Sequence, residues 1–440
     1  MKRTEKSLWL IPLLALGSAS LACTLFSSGS PSTPVSSNQP IETSVAATVK
    51  ALNPLTTALP EQLAGQPTPA ETSAPAEALS ETSLPPTTTP TPLPKLLPAA
   101  LYFIGPDRSG LDQVWRLMPQ GNSIEPITQE PASVTDFAVS TEGHVAYVVN
   151  NRLILKRPGF TGTSVIADGG ADDGSDAYRF TKTIAGLAWA PDGLTLAYGQ
   201  NGLHLYHPAT GADVLALQND VLAQGNFMQP RALYRPDAWS PDGSRLAIGI
   251  SYTEGGTMAI FDPATSAVIK LQKTNGDSAS CCTLAWVLDG KALLSAGMTY
   301  GVTSADLWRY TAVDGKGTEL IPTVGKDGIH NYVDWPILAP DGKLYYFYNG
   351  LAVPANGPVL YQMVRSEPDG VSGRTVQQAN PLLISEALWA PDASLALAVL
   401  LTPGDASSSG ASHGPIAVLF ADGRPMQQII QDGHKLVWGP

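Results

Sequence analysis

Cysteine and positive charge are both scarce in this sequence, and each shortage excludes a class of protein. Only 3 of the 440 residues are cysteine, so we expect no disulfide framework and a fold that is stable through the size of its core. Lys and Arg number 26 against 38 Asp and Glu, which gives a formal net charge of −12. An acidic chain without a basic stripe is a poor candidate for binding nucleic acid or an anionic membrane surface.

Motifs of common active sites are scarce as well. The sequence has no phosphate-binding loop, no zinc-ligand pair and no CxxC redox motif. Its six histidines are scattered along the chain, although His330 and His434 are candidates to meet at one end of the fold. We therefore predict a protein that is not an enzyme and needs no cofactor, with the calcium site described below as the one alternative.

The N-terminus has the features of an export signal. Basic residues precede an apolar run from Leu8 to Leu16, and small residues lead from there to Cys23. This run is shorter than the roughly 20 apolar residues that span a bilayer, so residues 1–22 are predicted to be a cleaved signal peptide. The segment SLAC, which ends at Cys23, resembles the bacterial lipoprotein cleavage box, and the resemblance implies that Cys23 carries a lipid anchor. Ordinary secretion is the alternative, because the small residues before Cys23 also fit that cleavage rule.

Residues 23–98 have the composition of a linker. Ser, Thr, Pro and Ala dominate, Phe26 is the only aromatic residue, and the stretch TTTPTPLP approaches low complexity. Such a segment cannot bury enough apolar surface to offset the entropy lost on ordering. We therefore predict a disordered, Ser/Thr/Pro-rich tether that connects the anchor to a folded part at 99–440.

One phrase recurs seven times in the folded part. It is an apolar or tryptophan residue followed by Pro-Asp-Gly or a variant, as in WAPDG and WSPDG. A period of about 50 residues marks a repeat fold, in which each unit buries its apolar face against a neighbour. We interpret the tryptophans as packing between repeats and not as ligand contacts. The first residues of the seven copies, here called the lead positions, are Val139, Trp189, Trp239, Trp286, Leu338, Trp389 and Trp438.

Each repeat contains four short runs typical of β-strands. In the stretch 183–217, four such runs are separated by Pro-Asp-Gly and Pro-Ala-Thr-Gly turns. Four strands in each of seven repeats predict an all-β fold, a seven-bladed β-propeller. The folded part opens at Leu101 with runs that match strands two to four, and it finishes with a single strand at 434–440. We therefore expect the C-terminal strand to complete the first blade and close the ring.

The repeats resemble the TolB-type, WD-like propeller repeat, whose signature is a Trp-Ser-Pro-Asp-Gly turn followed by an apolar strand. Residues 239–243 and the following Leu246-Ala247-Ile248 reproduce this signature. The resemblance covers residues 101–440 and implies the propeller fold. It does not imply one function, because the family includes periplasmic protein-binding domains, propellers attached to peptidases, and lyases. The chain departs from TolB itself in having seven predicted blades instead of six, and a tether in place of an N-terminal α/β domain.

Loop length varies on one face of the predicted propeller, and that face is where we expect binding. Two predicted loops on it, at 218–237 and 324–335, contain Tyr, Arg and Trp side chains of the kind that anchor interfaces. The alternative is that these loops fold against their own blades. The candidate contact residues are Phe227, Arg231, Tyr234, Arg235, His330, Tyr332, Asp334 and Trp335.

The segment DGGADDGSD on the same face is a candidate calcium site. Hard cations favour several carboxylate oxygens, but the spacing matches no known calcium loop, so a solvated acidic loop is the alternative. The candidate ligands are Asp168, Asp172, Asp173 and Asp176.

Two adjacent cysteines, Cys281 and Cys282, lie in another predicted loop. If Cys23 is lipidated, these two have no other partner within the chain. A disulfide between neighbours requires a distorted peptide, so a vicinal disulfide, free thiols, and a disulfide from one of the two to another molecule all remain open.

These features predict an extracytoplasmic protein that is attached to the membrane through its lipid anchor alone. We expect it to bind an envelope protein or an envelope glycan through the loop-rich face. The alternative is a propeller enzyme, a polysaccharide lyase or hydrolase that acts at the central channel.

Overall fold

The computed structural model describes residues 95–440, apart from gaps at 172–178, 225–226, 254, 280–282, 297–305, 356 and 403–412. The chain divides into two units, Met1–Pro86 and Thr87–Pro440, and every described residue belongs to the second. The predicted signal peptide, Cys23 and nearly all of the tether lie outside the described residues. The predicted start of the folded part needs a correction. Leu97 is buried in the core and its backbone N–H donates to the Pro119 carbonyl, so the fold begins before residue 99.

The described residues confirm the all-β class, since they contain 28 strands and one four-residue helix. All ladders between these strands are antiparallel. The first three strands are β1 (Ala100–Pro106), β2 (Asp112–Leu117) and β3 (Ile124–Pro126). A four-stranded sheet follows in sequential order, with β4 (Val134–Val139), β5 (Val145–Val149), β6 (Arg152–Lys156) and β7 (Thr163–Asp168).

The next two sheets follow the short helix α1 (Arg179–Lys182). The first has four strands, β8 (Ala185–Trp189), β9 (Leu196–Gly199), β10 (Gly202–His207) and β11 (Ala212–Gln218). The second has five, β12 (Asp220–Gln224), β13 (Phe227–Trp239), β14 (Leu246–Tyr252), β15 (Gly255–Asp262) and β16 (Ala267–Lys270).

Two more four-stranded sheets precede the C-terminal strands. One contains β17 (Thr283–Trp286), β18 (Ala292–Ala296), β19 (Leu307–Thr311) and β20 (Gly317–Ile321). The other contains β21 (His330–Leu338), β22 (Leu344–Leu351), β23 (Gln362–Ser366) and β24 (Thr375–Val376). The last strands are β25 (Ile384–Trp389), β26 (Leu395–Leu400), β27 (Gly414–Phe420) and β28 (Gln427–Gly439).

Strand β28 joins the two ends of the folded part in one seven-stranded sheet, in the order β25-β26-β27-β28-β1-β2-β3. Its first half pairs with β27, where Gln427 lies opposite Val418. Its second half pairs with β1, where Trp438 lies opposite Leu101. The C-terminal segment therefore lies beside the first strand of the fold.

The Asp and Gly of the recurring phrase make the tight turn that follows a lead position. In the best copies, Asp192 Oδ1 accepts the Leu194 backbone N–H at 2.9 Å and Asp242 Oδ1 accepts the Ser244 N–H at 3.1 Å. Gly193 has a φ of 71°, in the left-handed region where a side chain is strained. This chemistry turns the chain directly into the next strand.

Seven apolar clusters lie among the described residues. Six of them combine side chains from two successive sheets, and the seventh lies within the seven-stranded sheet, where β1 and β2 meet β26, β27 and β28. Strand β1 shows how one strand serves two clusters. Its Leu101 and Phe103 pack against residues of β26, β27 and β28, whereas its Tyr102 and Ile104 pack against β4 and β5. This alternation is expected for a strand that is covered on both faces. The core therefore lies between the sheets.

Each strand that ends at or next to a lead position contacts the corresponding strand of the next repeat. We call β4, β8, β13, β17, β21, β25 and β28 the lead strands. Consecutive lead strands contact one another along this series, and β28 also contacts β4.

Five lead-position tryptophans donate their indole N–H to a backbone carbonyl of the preceding repeat. In each case the donor is the indole N–H at the end of one lead strand, and the acceptor is a backbone carbonyl near the end of the previous lead strand. This geometry supports the interpretation of these tryptophans as packing between repeats. The bonds join Trp189 to Ala138 at 3.3 Å, Trp239 to Ala188 at 3.1 Å, Trp286 to Ala238 at 2.9 Å, Trp389 to Trp335 at 2.7 Å and Trp438 to Trp389 at 2.7 Å.

We predict that Trp389→Phe destabilises the fold more than Trp308→Phe. Both side chains are similarly buried, at 7% and 5% exposed, but the Trp308 indole N–H has no acceptor among the described residues. The change at Trp389 also leaves the Trp335 carbonyl without its donor, so its extra cost in free energy of unfolding should be about 1–2 kcal/mol. Urea unfolding of the two variants measures the difference, and equal costs would contradict a role for the hydrogen bond.

Candidate binding site

The predicted loop at 218–237 is wrong, because this stretch forms a β-hairpin. Strands β12 and β13 pair with Gln224 opposite Phe227, and β13 runs on into its lead position. Two prolines, Pro230 and Pro236, argue against a strand in the sequence, but Pro236 lies at a bulge, where a ladder bond is not required. The dipeptide Gly225-Asn226 is a hairpin signal that the sequence analysis missed.

The candidate residues of this hairpin differ in exposure. Arg231 and Arg235 are exposed, whereas Tyr234 is half-buried and packs against the core cluster of β14 and β15. The Tyr234 backbone N–H also donates to Asn219 Oδ1 at 2.9 Å. Phe227 begins the strand, and its side chain is outside the described set. Arg231 and Arg235 are therefore the side chains of this group that a ligand reaches most directly.

The second candidate group lies on lead strand β21 and not on a loop. Tyr332 is 0% exposed and its hydroxyl accepts the Ala355 backbone N–H at 2.7 Å, so the prediction that it belongs to a binding surface is wrong. Trp335 packs edge-on against Phe347 and Tyr361, with ring centroids 5.7 Å apart in each pair. His330 is half-buried at the start of the strand.

Within the described residues, six of the seven lead strands contain a β-bulge a few residues before the lead position. A bulge inserts an unpaired residue and redirects the neighbouring side chains. Charged residues occupy or adjoin most of these bulges. The register shifts lie between Val134 and Asp136, Ala185 and Leu187, Pro236 and Ala238, Asp334 and Ile337, and Ile384 and Glu386, and in β28 opposite the segment between Tyr102 and Ile104.

Lys435 connects the charged residues of four lead strands. Its Nζ forms an ion pair with Asp136, and the Glu386 carboxylate accepts the backbone N–H groups of Lys435 and Leu436, both at 2.6 Å. Lys435 also acts electrostatically on Asp237. We call the five residues Asp136, Arg235, Asp237, Glu386 and Lys435 the charge cluster.

The charge cluster brings together strands that are distant in the series of lead strands. Asp237 belongs to β13 and Lys435 to β28, with β4 and β8 between them on one side and three lead strands between them on the other. The electrostatic effect of Lys435 on Asp237 therefore acts between strands that are not neighbours in this series.

Burial raises the pKa values of the carboxyl groups in this region. It raises the pKa of Asp237 to about 6, although Arg235 and Lys435 act in the opposite direction. It also raises the pKa of Glu386, against the lowering effect of its two backbone hydrogen bonds. Loss of water is thus the dominant effect, since it disfavours the charged form.

Asp334 occupies the equivalent region of β21. Its Oδ1 accepts a hydrogen bond from Thr283 Oγ1 at 2.6 Å, across to β17, and another from the Trp335 backbone N–H at 2.8 Å. Burial nevertheless raises the pKa of Asp334 to about 6. The candidate residue Asp334 therefore joins two repeats through its carboxylate.

His434 packs against His413, with ring centroids 4.0 Å apart, a pair that the sequence analysis did not bring together. The His413 ring lies between Asp112 and Asp432, at 3.6 and 3.7 Å. Burial is the main cause that lowers the pKa of His434 to about 4, and the neighbouring His413 and Lys435 lower it further. His434 is therefore neutral at pH 7.

The candidate calcium ligands fall mostly outside the described residues. Asp172, Asp173 and Asp176 lie in the gap at 172–178, and Cys281 and Cys282 lie in another gap. Asp168 accepts the Gly170 backbone N–H at 2.8 Å and lies 3.5 Å from Arg152 Nε. Within the described residues, no three His, Cys, Asp or Glu side chains are grouped to hold a metal ion. A helix with the length and hydropathy of a membrane span is likewise absent from the described part of the chain.

Solved structures similar to this chain include TolB from Acinetobacter baumannii, with 16% identity over 75% of this chain and 79% of that one, at a TM-score of 0.41. Oligogalacturonate lyase from Vibrio parahaemolyticus has 14% identity over 70% of this chain and 84% of its own, at a TM-score of 0.45. The β-propeller domain of the Trilobed protease from Pyrococcus furiosus has 12% identity over 76% and 94%, at a TM-score of 0.44. No protein-family model and no curated protein matches the chain. The expected resemblance to TolB proteins is thus found among solved structures, and at this identity it concerns the fold alone.

We predict that Asp334→Asn stabilises the protein at pH 7.5 but not at pH 4. The folded state raises the pKa of Asp334 from its ordinary 3.8 to about 6, so it holds the proton more tightly and stability falls as the pH rises through this window. Asparagine keeps an oxygen acceptor for Thr283 and removes the ionisation, which should add about 1–3 kcal/mol to the free energy of unfolding at pH 7.5.

Urea unfolding between pH 4 and pH 8 measures this effect. Asp262→Asn is the matched control, because Asp262 is the last residue of β15 and its Oδ1 accepts the backbone N–H groups of Ala264 and Thr265 in the turn that follows. A difference between Asp334→Asn and the unsubstituted protein that does not change with pH would show that ionisation of Asp334 costs nothing.

Proposed function

We propose that this chain is an exported, membrane-anchored binding protein that recognises an envelope protein or glycan. Cys23 carries the lipid, the segment between Cys23 and the folded part forms the tether, and the folded part carries the recognition surface. The tether, as a random coil of about 70 residues, would span roughly 45 Å.

We further propose that the folded part is a closed ring of seven blades. Two observations support this architecture. The contacts between lead strands run through all seven and return from β28 to β4, and β28 pairs with β27 on one side and with β1 on the other. In such a ring the C-terminal strand supplies the missing strand of the first blade.

The observation that carries the proposed function is the β12–β13 hairpin. It extends lead strand β13 beyond the part that pairs with β14, and β12 pairs with this extension, so the sheet holds its side chains in place. Rigid presentation lowers the entropy lost on binding. Arg231 is exposed on this hairpin, and arginine is enriched among residues that contribute strongly to binding.

Arg231→Ala should lower recovery of envelope partners in a pull-down about tenfold, the effect of losing roughly 1.4 kcal/mol of binding free energy. Lys291→Ala is the control, because Lys291 is 81% exposed on the turn between β17 and β18, far in sequence from the hairpin. Equal recovery with Arg231→Ala and Lys291→Ala would count against the hairpin as the recognition surface.

A second candidate function is cleavage of a polysaccharide within the ring. The observation that favours it is that burial raises the pKa values of two separate carboxyl groups, Asp237 and Asp334, to about 6, because a carboxylic acid with a raised pKa can act as a general acid. The segment Gly410–Gly414 matches the Gly-x-Ser-x-Gly pattern, but Gly414 begins a strand, whereas a nucleophile elbow leads into a helix.

A panel of polysaccharides separates the two candidates. The binding proposal predicts no new reducing ends and no unsaturated products after prolonged incubation with the purified chain. Product formed by the unsubstituted chain and by Asp262→Asn, but reduced at least about a hundredfold in Asp334→Asn, would establish the enzyme instead.

A further inference from the structure

We propose that a cleft between two sheets binds a small organic carboxylate, a carboxyl group attached to an apolar body of about the size of a benzene ring. The cleft lies between the sheet β4–β7 and the sheet β8–β11, and Arg157 and His144 supply its donors. It adjoins the turns that follow two lead positions, whereas the β12–β13 hairpin extends from the opposite end of a lead strand. The inference therefore does not rest on the proposed function.

Four tight turns, two from each sheet, form the walls of the cleft. Its volume is about 140 Å³, close to the roughly 150 Å³ of an engineered apolar cavity that holds benzene. Leu194 and Ala209 line the cleft and are exposed, so it is open to solvent. The side chains that line it are those of Glu142, His144, Arg157, Leu194, Pro208 and Ala209.

Contacts between the turns fix the shape of the cleft. Thr141 Oγ1 donates to the Pro191 carbonyl at 3.3 Å, which joins the turns that follow the two lead positions. Arg157 Nη2 donates to the Pro208 carbonyl at 3.0 Å, which joins the turns that follow β6 and β10. Gly193 approaches Thr141 so closely that a Cβ atom on this glycine would lie 2.9 Å from Thr141 Oγ1. The walls are thus held in place before a ligand arrives, which lowers the entropy lost on binding.

Arg157 carries a positive charge for which the described residues supply no anion. Its Nη2 is used in the contact with Pro208, its Nε is buried without a hydrogen-bond partner, and its guanidinium forms no ion pair with a described residue. Burial of a charged group without partners is costly. A carboxylate relieves this cost, because it supplies a negative charge and two acceptor oxygens in the geometry that guanidinium favours.

His144 is a second polar group of the cleft without a partner. Its Nδ1 is buried and has no hydrogen-bond partner among the described residues. Its ring packs against Trp189, with ring centroids 5.8 Å apart, and this contact restricts its orientation. A neutral ring with its proton on Nε2 leaves no N–H group unsatisfied at Nδ1, so burial favours this tautomer. In it, Nε2 is a donor that no described residue uses.

The charges in the cleft favour an anion over a cation. Glu142 opposes an anionic ligand, but its side chain is exposed, so water and salt screen its charge. Arg157 is half-buried, with one nitrogen shielded from water, and its charge therefore acts more strongly within the cleft. Leu194, Pro208 and Ala209 add apolar surface, which favours an apolar body next to the carboxylate.

The test is a ligand-observed NMR titration of the full chain with benzoate, with benzamide as the uncharged control of similar shape. We expect benzoate to bind at least about tenfold more tightly than benzamide. Arg157→Gln should weaken benzoate binding at least about tenfold, whereas Glu142→Gln should tighten it severalfold. Arg245→Gln is the matched control and should leave binding unchanged, because Arg245 also donates to a carbonyl of a tight turn, that of Ala312, but does not line the cleft.

A second pair of variants tests the cleft without removing a donor. Ala209→Phe fills the cleft with a ring and should abolish benzoate binding. Ala264→Phe is its control and should bind benzoate normally, because the sequence Pro-Ala-Thr of 208–210 recurs at 263–265 in the equivalent turn of the next sheet. Both alanines are exposed, so these variants should fold even if Arg157→Gln does not. Equal binding of benzoate and benzamide, or unchanged binding of benzoate by Arg157→Gln or by Ala209→Phe, would overturn the proposal.

The source of the carboxylate is a separate question for the same titration. Acetyl-Gly-Gly-Phe with a free C-terminal carboxylate is the second probe. Tighter binding of this peptide than of benzoate would identify the C-terminus of a protein as the source, and tighter binding of benzoate would identify a free organic acid. Failure of both probes to bind, with Arg231→Ala still lowering partner recovery, would overturn the cleft as a site and leave the proposed function intact.

Discussion

The hydrogen bond from a tryptophan indole to the backbone of the preceding repeat is the interaction on which the rest of the structure depends. It ties the end of one lead strand to the end of the previous one, where the seven apolar clusters alone would fix only the distance between sheets. Apolar contact is not directional, whereas a donor and a carbonyl must meet at a defined geometry. The recurring tryptophan therefore sets both the packing and the register of successive sheets.

A consequence of this register is that each lead strand contacts the next one in the series. Acidic and basic side chains lie at or beside the bulges of these strands, and burial raises the pKa values of Asp237, Asp334 and Glu386. These carboxylates weaken the fold at neutral pH, and such a cost is typical of groups that serve binding or catalysis. The same strand β13 that contributes Asp237 also extends outward as a hairpin with Arg231 exposed. Scaffold and candidate site are thus parts of one element.

Most of the fold could be predicted from the sequence, but little of the candidate site could be, and the reasons are physical. The period of the tryptophans and the Pro-Asp-Gly turns predicted the strands, because turn chemistry is local and the side-chain period of a strand is fixed. The hairpin was missed because Pro230 and Pro236 outweighed the Gly-Asn signal. Tyr332 was assigned to the binding surface in error, because the sequence does not show whether an aromatic ring next to a loop faces the core or the solvent. The charge cluster could not be predicted, because a bulge changes the face on which a side chain lies and no residue type in the sequence indicates it. The contact between His413 and His434 could not be predicted either, because it forms only in the tertiary structure.

The central claim is that the C-terminal half of β28 holds the two ends of the folded part together through its pairing with β1. The most direct test is thermal unfolding of a chain that ends at Gly433 and so lacks the residues opposite β1. The account predicts that the melting temperature falls by more than about 10 °C or that the transition loses its cooperativity. A truncated chain that melts at the same temperature and with the same sharpness as the full one would contradict it.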